Sequence, residues 1–141
     1  MKKLISLSVL AFLVISLFAV SSTAANKKTQ TTVSKSAKVE VYYFHFTRRC
    51  VTCQAVETES QKAIAALYPV KAKKGLITFK AVNLDEKNNK ALAKKCSVEG
   101  QALLVISGGK RIDLTEQGFM YAKSSPDKLK AELKKVIDAL I

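Results

Sequence analysis

Residues 39–54 read VEVYYFHFTRRCVTCQ, and this stretch decides the fold. Residues 39–46 are almost continuously β-branched or aromatic, which predicts a strand buried on both faces in a sheet flanked by helices. Cys50 and Cys53 follow directly, and residues 54–68 show the spacing of an amphipathic helix. Two cysteines separated by two residues, between a strand and a helix, are typical of a redox dithiol.

The position of the pair also predicts different tasks for the two sulfurs. A helix that begins near Cys50 points unpaired main-chain N–H groups at its sulfur, and these stabilise the thiolate over the thiol. Cys53 lies one helical turn further on. It is therefore placed to attack a mixed disulfide and release a partner.

The N-terminus has the pattern of a secretory signal peptide, which we predict to span residues 1–25. Lys2 and Lys3 precede the apolar run 4–20, and small residues follow at 21–25. A retained membrane anchor is the alternative, because the apolar run approaches the length that spans a bilayer. After cleavage we expect no stable membrane span and a periplasmic or secreted location.

Residues 26–37 are polar and show no period, so we interpret them as a flexible leader. Residues 38–141 then form the folded domain, with enough chain, about 100 residues, for one core. Disulfides persist in the oxidising compartments that exported proteins reach. Three cysteines therefore give one pair and one cysteine left over.

The chain is strongly basic, with a formal net charge of +13. Nucleic acid is the first partner that such a charge suggests. The lysines are spread over the whole chain, aromatic residues are not interleaved with them, and the N-terminus predicts export. We therefore expect no nucleic-acid partner. The charge either makes a solvated basic surface or attracts an acidic protein or an anionic envelope surface.

The rest of the domain continues in alternating elements. We predict strands at 76–84, 102–107 and 111–116, a short helix at 85–96, and a last helix that Ser125 caps and Pro126 begins. The order is β-α-β-α-β-β-α. No Gly-rich phosphate loop is present, so no organic cofactor is expected, and no metal site is assigned.

This order, with Cys-x-x-Cys between the first strand and first helix, resembles the thioredoxin superfamily. Residues 82–86 (VNLDE) and 92–100 (LAKKCSVEG) look like the second strand, short helix and return loop of that family. The resemblance covers residues 38–141. It implies an α/β thioredoxin-like fold with a central mixed four-stranded sheet flanked by helices. It also implies a thiol–disulfide oxidoreductase in which Cys50 attacks and Cys53 resolves.

The sequence departs from the family at the substrate loop. Family members usually carry a cis-proline before the third strand, where this chain has Ala102 preceded by Gln101. A cis bond before a residue other than proline costs about 2.5–4 kcal/mol, so we expect a trans bond here. Thioredoxins proper also carry a buried Asp where Phe44 falls. The chain is therefore interpreted as a divergent exported relative.

Several further side chains are candidates for the site. Arg48 and Arg49 would favour the Cys50 thiolate and lower its pKa, or else point into water. His45 would act as a base or, more simply, be a packed, hydrogen-bonded histidine. Glu57 would relay a proton or be a solvated helix carboxylate. Cys96 would be a half-buried structural thiol or form a regulatory disulfide.

Two other classes of function stay open at this stage. A non-catalytic interaction module with a structural disulfide would suit the missing cis-proline, since one fold hosts many functions. A soft-metal protein would hold Cu(I) between the two thiolates. The main hypothesis has protein or small-molecule thiols and disulfides as its partners.

Overall fold

A computed structural model describes residues 38–141, so the predicted signal peptide 1–25 and leader 26–37 lie outside the described residues. The strands, numbered β1 to β4, are Val39–His45, Ile77–Asn83, Ala102–Ser107 and Lys110–Asp113. The helices, numbered α1 to α5, are Val51–Leu67, Pro69–Lys73, Lys90–Lys95, Thr115–Tyr121 and Pro126–Asp138. A 3₁₀ turn, Lys87–Asn89, precedes α3. No helix in this part of the chain is both long enough and apolar enough to cross a membrane.

The four strands form one mixed sheet in the order β2-β1-β3-β4. β1 runs parallel to β2, with Val39 opposite Ile77, and antiparallel to β3, with Phe44 opposite Ala102. β4 is antiparallel to β3. The predicted α/β class and mixed four-stranded sheet are confirmed. The predicted order of elements agrees with the structure except that the structure has two additional helices, α2 and α4.

β1 is buried on both faces, as its composition predicts. Val41 and Tyr43 belong to the core cluster that α1 and α5 cover, together with Val56 and Leu133. Phe44 belongs to a second cluster with Ala93 of α3. Because successive side chains of a strand point to opposite faces, the central strand contributes to both cores.

α1 begins at Val51, with Cys50 as its N-cap, as predicted for a helix that begins near Cys50. The predicted fourth strand, 111–116, needs correction. β4 ends at Asp113 because the Asp113 carboxylate accepts hydrogen bonds from the main chain and hydroxyl of Thr115, which turns the chain. The residues after that turn form α4 and not the end of a strand.

The two prolines each lie at the first position of a helix. α1 ends before Pro69, as predicted, and Pro69 begins α2. Pro126 begins α5, where its fixed φ suits the first helical turn. Ser125 is the N-cap residue of α5, as predicted, but its side chain makes no capping hydrogen bond.

Candidate functional site

Cys50 and Cys53 form a disulfide at the N-terminus of α1, with their Cα atoms 5.1 Å apart. Cys50 is the N-cap residue, and its sulfur accepts a hydrogen bond from the main-chain N–H of Cys53 at 3.2 Å. The main-chain N–H of Cys50 donates to the sulfur of Cys53 at 3.3 Å. Each sulfur is thus held by an N–H group that the start of a helix leaves without an intrahelical partner.

The two sulfur-bearing residues differ in accessibility. Cys50 is exposed, whereas only 3% of Cys53 is exposed. A thiol or disulfide from outside can therefore reach Cys50 but not Cys53. This asymmetry is what an exchange mechanism with one attacking and one resolving sulfur needs.

The two arginines before Cys50 have different surroundings. Arg48 is exposed to solvent. Arg49 is partly buried, with 27% of its side chain exposed, and its guanidinium donates to the carboxylate of Glu57 on α1. The sequence identifies Arg49 and Glu57 as separate candidates but does not predict that they pair. The pairing depends on the angle between α1 and the loop that precedes it.

A buried tyrosine lies close to this ion pair. The hydroxyl of Tyr43 donates to the side-chain carbonyl of Gln101 at 3.4 Å. Burial raises the pKa of Tyr43 to about 12, with the charge of Arg49 opposing the rise and that of Glu57 adding to it. Tyr43 is therefore a neutral hydrogen-bond donor at physiological pH.

The loop that precedes β3 has the conformation that the sequence predicts. Every peptide bond within residues 38–141 is trans, including the bond between Gln101 and Ala102. Ala102 is buried and lies opposite Phe44 in the sheet. Through Gln101, the start of β3 is tied to Tyr43 of β1.

His45 is a packed histidine, as its structural interpretation predicts. It is buried, its ring stacks on that of Tyr43 with centroids 5.8 Å apart, and its Nδ1 lies 2.9 Å from the carbonyl oxygen of Phe46. Since a carbonyl only accepts, Nδ1 carries the proton in this contact. The hydrogen bond to the main chain of Phe46 fixes the orientation of the His45 ring.

Cys96, at the end of α3, is the cysteine left over. It is unpaired and buried in the cluster on the α3 face of the sheet. Burial raises the pKa of its thiol. Its main-chain carbonyl accepts a hydrogen bond from Nε of Arg111 at 2.9 Å. Burial of an unpaired thiol is typical of a structural cysteine, which is the first of the two sequence-based alternatives.

Between β1 and Cys50, residues 46–49 are anchored by the loop that follows β2. The main-chain N–H of Thr47 donates to the Asp85 carboxylate at 2.8 Å, and the Asn83 amide donates to the Thr47 hydroxyl at 2.9 Å. The main-chain bond from Thr47 lowers the pKa of Asp85. The segment that positions Cys50 is thus held to the carboxyl end of β2.

A cleft of about 730 Å³ opens at the carboxyl ends of β1 and β2. It is lined by apolar and charged side chains: Phe46, Leu84, Lys90, Ala93, Lys94, Ser97, Val98 and Glu99. In α/β sheets, ligands commonly bind at the carboxyl ends of the strands. This cleft could not be predicted from local sequence, because its walls come from three separate segments.

No group of three His, Cys, Asp or Glu residues within 38–141 is arranged to hold a metal ion. No family model matches the chain, and no curated protein is similar to it. One solved structure, described as "Structure of a malarial protein", is 25% identical over 70% of this chain and 96% of its own chain, with a TM-score of 0.45. A TM-score this low does not establish a shared fold.

Proposed function

We propose that this protein is an exported thiol–disulfide oxidoreductase, a divergent member of the thioredoxin superfamily. The observation that carries the proposal is the accessible sulfur of Cys50 at the N-terminus of α1, bonded to the buried sulfur of Cys53. The mixed sheet, with this pair at the start of the helix that follows β1, is compatible with a thioredoxin-like fold.

The reaction would proceed through a mixed disulfide. The Cys50 thiolate attacks one sulfur of a partner disulfide, a bond forms between the two sulfurs, and the partner's other sulfur leaves as a thiolate that takes up a proton. Cys53 then loses its proton and attacks Cys50, which releases the second partner sulfur. The partner gains two electrons and two protons, and the Cys50–Cys53 disulfide forms. The reverse sequence oxidises a partner dithiol.

The surroundings of the pair favour a partner that is a protein. Val51, next to Cys50, is exposed, and 37% of Phe46 is exposed at the cleft. A partner chain that crosses Cys50 would cover these apolar side chains. Lys90 and Lys94 in the cleft would attract acidic side chains on that partner, as the basic composition suggests.

The exported location rests on residues 1–25. A periplasmic or secreted protein would meet partners whose disulfides form and persist. The test of this part is the N-terminal sequence of the protein recovered from an expressing cell. Mature protein that begins near residue 26, outside the cytoplasm, is expected, whereas an intact N-terminus on cytoplasmic protein would contradict export.

The activity is tested by the reduction potential of the Cys50–Cys53 pair against glutathione, in a Cys96→Ser background. We expect a value between about −270 and −120 mV, the span of redox-active domains, and rapid alkylation of reduced Cys50. Cys53→Ser should trap mixed disulfides with partners, and Cys50→Ser is the matched control that should trap none. A potential below about −300 mV together with an inert Cys50 would contradict the proposal.

The second candidate is a non-catalytic interaction module in which this disulfide is structural. The trans bond between Gln101 and Ala102 favours it, because the family aligns substrate backbones with a cis-proline at this position. The same potential measurement distinguishes the two candidates. The soft-metal alternative has only the two thiolates of Cys50 and Cys53 in its favour, so we do not propose it.

A further inference from the structure

The Arg49–Glu57 ion pair lies alongside the disulfide. Glu57 follows Cys53 by four residues and Cys50 by seven, so the three positions share one face of α1. Arg49 immediately precedes the N-cap, and its guanidinium reaches forward to the Glu57 carboxylate. The ion pair therefore runs beside the first two turns of the helix that hold both sulfurs.

The pair is shielded from water more than an ordinary surface ion pair. Only 27% of the Arg49 side chain and 26% of the Glu57 side chain are exposed. Both charges also act on the buried hydroxyl of Tyr43, with opposite sign. Partly buried charges are screened less by salt and water than exposed ones, so each of them acts over a longer distance.

Reduction of the disulfide places new negative charge beside this ion pair. When Cys50 is a thiolate, the positive charge of Arg49 stabilises it and the negative charge of Glu57 opposes it. With both charges present, the two effects largely offset one another. If either side chain is neutralised, the other acts alone.

We propose that Glu57 is a positioning residue that holds Arg49 and offsets its charge, so that this ion pair sets the equilibrium between the Cys50–Cys53 disulfide and its dithiol. The inference rests on the proposed exchange function and adds to it the residues that tune the equilibrium. The reaction measured is disulfide plus two glutathione thiols giving dithiol plus glutathione disulfide, which balances in electrons and protons.

The experiment is a charge-neutralising double-mutant cycle with Glu57→Gln and Arg49→Gln in the Cys96→Ser protein. The equilibrium constant for reduction by glutathione is measured at neutral pH. We expect Glu57→Gln to raise it about three- to tenfold and Arg49→Gln to lower it by a similar factor. For a two-electron couple these factors correspond to about 15 to 30 mV. The double variant should return to within about twofold of the parent.

The chain offers a matched control on the same helix. Glu59 is also 26% exposed and binds Lys62 at 2.9 Å, but it lies two residues from Glu57 and so on another face of α1. Glu59→Gln should leave the glutathione equilibrium unchanged. Arg49→Lys keeps the positive charge while losing the guanidinium, so it should stay close to the parent. If Arg49→Gln fails to fold, the shift of Glu57→Gln relative to the Glu59→Gln control decides the test.

Shifts in the same direction for both single variants, or no shift in either, would overturn the inference, because a purely structural ion pair would give one of those results. Failure of the proposed exchange function would give a different result. A parent protein with an inert Cys50 and a potential below about −300 mV contradicts the exchange function itself. A redox-active parent whose single variants fail to shift in opposite directions contradicts only the role of the ion pair.

Discussion

Gly118 of α4 packs against Leu103 of β3 so closely that a Cβ on the glycine would lie 3.2 Å from Cδ2 of Leu103 and 3.2 Å from Cγ1 of Val56. Leu103 and Val56 are fully buried. The absence of a side chain at residue 118 thus lets α4 approach the sheet and α1. This contact fixes the position of α4 beside the core.

Gly118→Ala should therefore destabilise the protein. Alanine favours a helix interior over glycine by about 1 kcal/mol. The added methyl group lies 3.2 Å from two buried side chains, which must shift to admit it, and such overpacking costs about 1–3 kcal/mol. We expect a net loss of about 1 kcal/mol in the free energy of unfolding, measured by urea denaturation. Gly100→Ala is the control, since nothing lies within 4 Å of a Cβ built there. A stability gain in Gly118→Ala would show that Leu103 and Val56 can shift to make room for the methyl group, and would contradict this prediction.

Ser97 has a left-handed backbone, with φ of 52°. This conformation costs a residue with a side chain roughly 1–2 kcal/mol, and glycine adopts it freely. Ser97→Gly should raise the free energy of unfolding by about 0.5 kcal/mol, because greater freedom of glycine in the unfolded chain removes part of the gain. Ser97→Ala keeps the strain and should give no gain. Equal stability of the two variants would contradict this interpretation.

Asp85 should make the free energy of unfolding fall at acid pH. The main-chain N–H of Thr47 holds the pKa of Asp85 below its ordinary value, so the folded state favours the carboxylate. That stabilisation is present above the unfolded pKa of about 3.9 and is lost as pH falls through the lower, folded pKa. Asp85→Asn should lower stability near neutral pH and flatten its decline in acid. Glu132→Gln on α5 serves as the control, and an unchanged acid profile in Asp85→Asn would exclude the effect.

Cys96 should be much less reactive than Cys50 in the reduced protein. Burial raises its pKa, so the thiolate that reacts with alkylating reagents is rare, and the sulfur is shielded as well. We expect iodoacetamide to label Cys50 first and Cys96 at least about tenfold more slowly, as measured by mass spectrometry of peptides. Labelling of Cys96 should accelerate when the protein is unfolded in urea. Equal rates in the native protein would indicate that α3 opens readily.

The burial of β1 and the position of the cysteine pair follow from local sequence. Residues 39–46 are apolar at every position except Glu40 and His45, and only a strand covered on both faces suits that pattern. The start of α1 near Cys50 is also predicted, from the position of the cysteine pair. Val51 and Thr52 are β-branched and argue against a helix locally, whereas the Cys50 cap and the packing of Val56 stabilise one.

The sequence alone determined the α/β class, the central buried strand, the cysteine pair at the start of a helix and the packed state of His45, because these follow from side-chain periodicity and from short spacings along the chain. The tertiary structure decided which residues surround the pair. Tyr43 meets Gln101 and Thr47 meets Asp85 only because the fold brings distant segments together, whereas Arg49 and Glu57, eight residues apart, meet because of the angle between the loop and α1. The position of helix α4 was likewise decided by packing, since Gly118 lies against Leu103 and Val56, which are far away in the sequence.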